Sequence, residues 1–130
     1  MGVSNLRLAL AQTNPTVGSL EQNLAQIVTV IDSAVAQGAN LVVFGEMAIT
    51  GYPIEDLASR ESFLSAVEDQ LANLVAKLSD SKYADVAVVV GHPRLAPAEL
   101  RTGWAIAQNC ASVILNGKII GSYAKHHLPN

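Results

Sequence analysis

Two ionisable residues stand where a folded chain could use them. Glu46 follows the apolar run Leu41-Val42-Val43-Phe44 and Gly45, and the turn-rich stretch Thr50-Gly51-Tyr52-Pro53 comes soon after. Leu41–Phe44 reads as a buried strand, so Glu46 falls just past its carboxyl end, the place where parallel α/β sheets bind ligands. A carboxylate sunk there is desolvated and its pKa rises, which suits a general base working near neutral pH. The plainer alternative is a surface Glu that caps a turn or pairs with a lysine. Lys125 follows Ser122-Tyr123-Ala124 at the end of a second strand. A positive charge fixed there could stabilise an oxyanion, although spacing alone favours an ordinary solvated lysine, as Lys118 is taken to be. Tyr52, between Gly51 and Pro53, is either a hydrophobic lid over the strand ends or one wall of a substrate-binding pocket. The two roles are compatible.

The remaining reactive side chains carry less. Cys110 lies inside a long apolar strand, whereas a reactive thiol needs partial exposure and an electropositive setting, so a packing role is expected. His126 and His127 are adjacent and diverge in most backbone geometries. With no Cys or His at a ligand interval, no metal is expected. His92 precedes Pro93 and reads as a hydrogen-bonding loop residue. No phosphate-binding glycine loop of the Walker or Gly-x-Gly-x-x-Gly kind occurs.

The elements that must position these residues follow from periodicity. Leu6–Ala11 reads as a first strand, and Gln12–Gly18 is turn chemistry. Leu20, Leu24, Ile27, Val28, Ile31 and Val35 form one helical face. Ser19 and Gln22 suggest a capping box, and Gly38 a stop. A second helix presents Phe63, Leu64, Val67, Leu71, Leu74, Val75 and Leu78. Val86–Val90 is apolar throughout, hence a central strand, broken by His92-Pro93. A strand from about Trp104 to Leu115 and another over Lys118–Tyr123 flank Asn116-Gly117, a hairpin signal because both central residues need positive φ. The order predicts an α/β fold with a parallel sheet, closed by an antiparallel hairpin.

Bulk properties narrow the classes. Of 130 residues, 50% are hydrophobic and 15% charged, which excludes disorder and suits one domain. The net charge of -3 and the lack of a basic stretch argue against nucleic acid as a partner. A lone cysteine cannot form an internal disulfide. No apolar run approaches a membrane span, and no secretory leader is evident, so a cytoplasmic protein without membrane partners is expected.

The loop Phe44–Leu57, reading FGEMAITGYPIEDL, resembles the first signature of the nitrilase, or carbon-nitrogen hydrolase, superfamily, and Tyr123–Pro129 resembles its second. The opening Ala9–Gly18 is similar too. Asn14–Gly18, the Gly-Tyr-Pro-x-Glu-Asp-Leu stretch and His127–Asn130 are most similar to the glutaminase domains of glutamine-dependent NAD synthetases. One departure is Gly45, where that family usually has proline; it should leave the loop freer.

The resemblance implies a four-layer α-β-β-α sandwich, of which residues 1–130 would be the first part, an N-terminal portion cut within the domain. It implies a Glu, Lys and Cys triad, with Glu46 as general base and Lys125 as oxyanion stabiliser. The nucleophilic Cys would lie downstream and be absent from this chain, since Cys110 precedes Lys125. The implied activity is hydrolysis of the glutamine side-chain amide, feeding ammonia to ATP-dependent NAD synthesis. That would need a separate C-terminal synthetase domain using ATP and magnesium, with no cofactor in this portion. Assembly as a homo-oligomer is implied for the full-length protein. Another superfamily amidase acting on a small amide, or an inert truncated domain, are the alternatives. Alone, residues 1–130 are expected to be inactive, to expose an apolar sheet face and an unpaired edge, and to self-associate.

Overall fold

The computed structural model describes residues 5–103 and 105–125. In chain order it contains β1 (Leu8–Ala11), α1 (Leu20–Ala36), β2 (Leu41–Phe44), α2 (Glu61–Lys77), β3 (Ala87–Leu95), β4 (Ala107–Leu115) and β5 (Lys118–Ala124). The strands lie in sequence order in one sheet. β1, β2 and β3 run parallel, while β4 and β5 are antiparallel to their neighbours. The apolar strand expected over Val86–Val90 forms as part of β3, from Ala87, and is central. Both long helices cover one face. Ile27 and Ile31 of α1 and Val67 and Leu74 of α2 pack with Val42, Val88, Val90 and Ile114 in a single core from which water is excluded.

The other face has no helix over it among the described residues. Leu8 and Leu10 alternate with the half-buried Ala9 and Ala11 and project away from the core, and Tyr123 is exposed on β5. The described chain is therefore one helix layer on one sheet, with the apolar outer face that was expected.

Local differences have local causes. β3 does not break at His92-Pro93 but continues to Leu95, pairing His92 with Cys110 and Pro93 with Asn109. β2 pairs with β3 only as far as Val89. Pro93 thus lies where β3 has a neighbour on one side, an edge position that tolerates a missing N–H. His92 is accordingly a buried strand residue and not a loop residue. A carbonyl can only accept, so its Nδ1–H donates to Pro93 O (3.1 Å), and Nε2 accepts from the Ser112 hydroxyl at 2.7 Å. The Ser112 oxygen in turn lies 2.8 Å from Ser122 Oγ.

Ser19 precedes α1 but makes no side-chain cap; its hydroxyl donates to Gln22 Oε1 at 2.9 Å, so no capping box forms. β1 starts at Leu8 rather than Leu6, and β4 at Ala107. Trp104, proposed as the start of β4, lies outside the described residues, as do His126 and His127. The hairpin forms as expected, with φ of 51° at Asn116 and 74° at Gly117.

Candidate active site

β2 ends at Phe44, and the chain turns at once so that Glu46 projects beyond the carboxyl ends of the parallel strands. Met47 takes φ of 54°, a left-handed conformation uncommon for a side chain of this size. The turn is held from within, since Met47 O accepts from the N–H groups of Thr50 (3.1 Å) and Gly51 (2.7 Å). It is also pressed against β3. A Cβ on Gly91 would lie 2.6 Å from Gly45 O, 2.8 Å from Met47 N and 2.9 Å from Glu46 Cα. Only glycine lets the two backbones approach this closely. Gly45 itself needs no such freedom, because a Cβ there would meet no atom within 4 Å.

A second brace comes from α1. Asn23 is buried; its side-chain oxygen accepts Thr16 N–H (2.8 Å), and its amide donates to Thr16 O (2.8 Å) and Ile49 O (3.0 Å). It ties the loop after β1 to the loop after β2. Sequence reasoning missed it, although a polar residue within the apolar stripe of α1 was a visible signal.

Lys125 arrives from the end of β5, 79 residues away in sequence. Its Nζ donates to Glu46 Oε1 at 2.5 Å. The side chains are 41% and 55% exposed respectively, so this is a half-solvated pair and not a buried one. The Lys125 hydrogen bond holds the Glu46 carboxyl below its ordinary range, outweighing burial, with the Lys125 charge and the Asn109 amide adding to the effect. The expectation of a raised pKa is therefore corrected. Glu46 is not sunk at the strand end, and the cation beside it dominates.

Glu46 lies between two concavities. One, of about 330 Å³, is lined by Phe44, Gly91, Asn109, Cys110 and Tyr123 with the pair itself. The other, of about 350 Å³, is lined by Gln12, Thr13, Pro15 and Ala48 together with Glu46. Cys110 borders the first, but it is buried and burial pushes its thiol up, which makes it a poor nucleophile. Tyr52 stands 68% exposed on its loop and lines neither concavity. Among the described residues, no three His, Cys, Asp or Glu side chains come together as metal ligands, and no helix is long and apolar enough to cross a membrane.

The described chain is an α/β sheet with a carboxylate and a lysine paired beyond its strand ends. The chain belongs to the carbon-nitrogen hydrolase family, whose sequence pattern matches residues 7–130. It is 37% identical over 126 residues to a glutamine-dependent NAD(+) synthetase of Xanthomonas campestris, covering 96% of this chain and 21% of the relative. Over 122 residues it is 36% identical to the Synechocystis enzyme of the same name, covering 94% and 21%. The structure superposes on a glutamine-dependent NAD(+) synthetase from Cytophaga hutchinsonii with a TM-score of 0.80 and 27% identity, covering 98% of this chain and 20% of that one. An amidase from Nesterenkonia sp. shares the fold with a TM-score of 0.73 at 20% identity, covering 100% and 46%. The chain thus spans about a fifth of the length of the curated relatives it matches.

Proposed function

We propose that this chain supplies the general base and the oxyanion-stabilising lysine of a glutamine amidohydrolase, as the N-terminal portion of a glutamine-dependent NAD synthetase. The carrying observation is the Lys125–Glu46 contact, which joins the two signature segments at one point in space. In this reading a cysteine thiolate from chain beyond these 130 residues attacks the glutamine side-chain carbonyl. Glu46 takes the thiol proton and passes it to the departing nitrogen as the C–N bond breaks. Lys125 stabilises the tetrahedral oxyanion, and water then cleaves the thioester to glutamate. The ammonia serves a synthetase part that uses ATP and magnesium, in a protein that assembles as a homo-oligomer in the cytoplasm. Tyr52 borders neither concavity, so the proposal does not depend on it.

The test is glutamine hydrolysis and NAD formation by the full-length protein and by Glu46→Gln and Lys125→Ala. Loss of the base is expected to lower kcat by about 10²–10⁴-fold and loss of the lysine by about 10²–10³-fold. Residues 1–130 alone are expected to release no ammonia. Full activity in either variant would remove the assigned roles. Hydrolysis of small amides without coupling to NAD formation would instead favour a free-standing amidase.

A further inference from the structure

We propose that Asn109 is the positioning residue of the Glu46–Lys125 pair, its side chain holding the carboxylate and its backbone holding the strand end that carries the lysine, a role that rests on the reading of Glu46 and Lys125 given above. Asn109 sits on β4, which is hydrogen-bonded on both sides, and pairs with Pro93 of β3. Beyond the Cys110–Ala124 pair, where the β4–β5 ladder ends, Lys125 N–H donates to Asn109 O at 2.7 Å. That bond extends the register by one residue and fixes the backbone from which the Lys125 side chain springs. The Asn109 side chain lines the same concavity as Glu46 and Lys125, and its amide favours the ionised form of the Glu46 carboxyl.

One residue thus bonds the backbone of Lys125 and lines, from a central strand, the concavity that holds Glu46. Lysine alone would be a loose clamp, because its ammonium rides on a flexible four-carbon stem. An ionised carboxylate offers about four acceptor positions. Lys125 occupies one, on Oε1. A second donor of neutral charge restricts rotation of the carboxylate and leaves its remaining lone pairs to face a reacting proton. Aspartate at this position would have nearly the same shape but would place a negative charge against Glu46.

The experiment follows the Glu46 carboxyl by ¹³C NMR through an acid titration of the chain, in wild type, Asn109→Ala and Asn109→Asp, with exposed Lys118→Ala as control. The Glu46 midpoint should move up in Asn109→Ala, further up in Asn109→Asp, and not at all in the control. In the full-length protein the acid limb of kcat/KM should move by the same amounts, and kcat should fall by about 10- to 100-fold with little change in KM, as misplacement of a reacting group predicts. If Asn109→Ala does not fold, the near-isosteric Asn109→Asp decides. An unmoved Glu46 midpoint overturns the proposal, and so does a moved midpoint with an unmoved acid limb. Full hydrolysis by Glu46→Gln would refute the catalytic reading instead, and the NMR midpoints would tell the two failures apart.

Discussion

Replacing Gly91 with alanine tests whether the Glu46 turn is placed by contact with β3. The new Cβ would meet three backbone atoms at 2.6–2.9 Å. A carbon comfortably approaches a carbonyl oxygen to about 3.3 Å, so Gly45 O and Gly91 must separate by roughly 0.7 Å. Nothing flexible can yield, because the obstructing atoms belong to the backbone on either side of Glu46. The turn is also tied by the Met47 carbonyl, so the shift should carry Glu46 with it. Overpacking of this kind costs about 1–3 kcal/mol, and displacement of a reacting group on the order of 1 Å costs about 10²-fold in rate. Urea unfolding of the chain and glutamine hydrolysis by the full-length protein give the two readouts. Gly45→Ala is the matched control, two residues upstream of Met47 in the same turn, with open space around its added methyl. It should change stability by less than about 0.5 kcal/mol, as surface substitutions do. Wild-type stability and rate in Gly91→Ala, or equal damage in Gly45→Ala, would refute the reasoning.

Two further outcomes follow from burial and exposure. Burial depresses the His92 pKa, outweighing the opposing hydrogen bond to the Pro93 carbonyl, with Arg94 adding to the lowering and Glu68 opposing it; the unfolded chain therefore takes up a proton near its ordinary value while the folded chain does not. The contribution of His92 is fully present above about pH 6.5 and is lost as pH falls, at up to about 1.4 kcal/mol per pH unit; His92→Gln should flatten that part of the urea-midpoint profile between pH 7.5 and 5. On the uncovered sheet face, Leu10→Lys should shift residues 1–130 toward the monomer in sedimentation velocity, and an unchanged distribution would show that the Leu8–Leu10 face drives no association.

How much could be read from the sequence depended on whether a feature was local. β2 ended where its apolar run gave way to Gly45, and the hairpin formed because Asn116-Gly117 encodes its own dihedrals. Helix α2 followed its stripe. What failed depended on neighbours that no short window reveals. Pro93 was read as a break because its missing donor matters only if a strand lies on that side, and β2 has already ended there. The Ser19 hydroxyl had a competing acceptor in Gln22. Glu46 was placed correctly past its strand, but the direction of its pKa was not legible. Burial was inferred from the strand, whereas the decisive cation comes from a residue 79 positions away. Asn109 was invisible for the same reason, being one polar residue in a strand whose partners were unknown.

The low pKa of Glu46 sets a condition on the proposed chemistry. A thiol ordinarily titrates near 8.5 and a glutamate near 4.3, so passing a proton from one to the other is uphill by about 4 units, or roughly 5.7 kcal/mol. Lys125 beside Glu46 makes this worse while it stays there, since it stabilises the carboxylate that must accept the proton. Desolvation helps little, because it raises the pKa of both groups. The proton moves more easily if Lys125 shifts its hydrogen bond from Glu46 toward the developing thiolate or oxyanion, so that the positive charge follows the negative one. A point charge on a flexible stem can do this, and an arginine, whose planar fork binds a carboxylate bidentately, cannot do it readily. Lys125→Arg should therefore keep the charge, keep the chain folded and keep Glu46 ionised to at least as low a pH, yet lower kcat by about 10²-fold or more, as loss of one oxyanion donor does. Wild-type kcat in Lys125→Arg would show that a static charge suffices and that no transfer of the lysine hydrogen bond is needed.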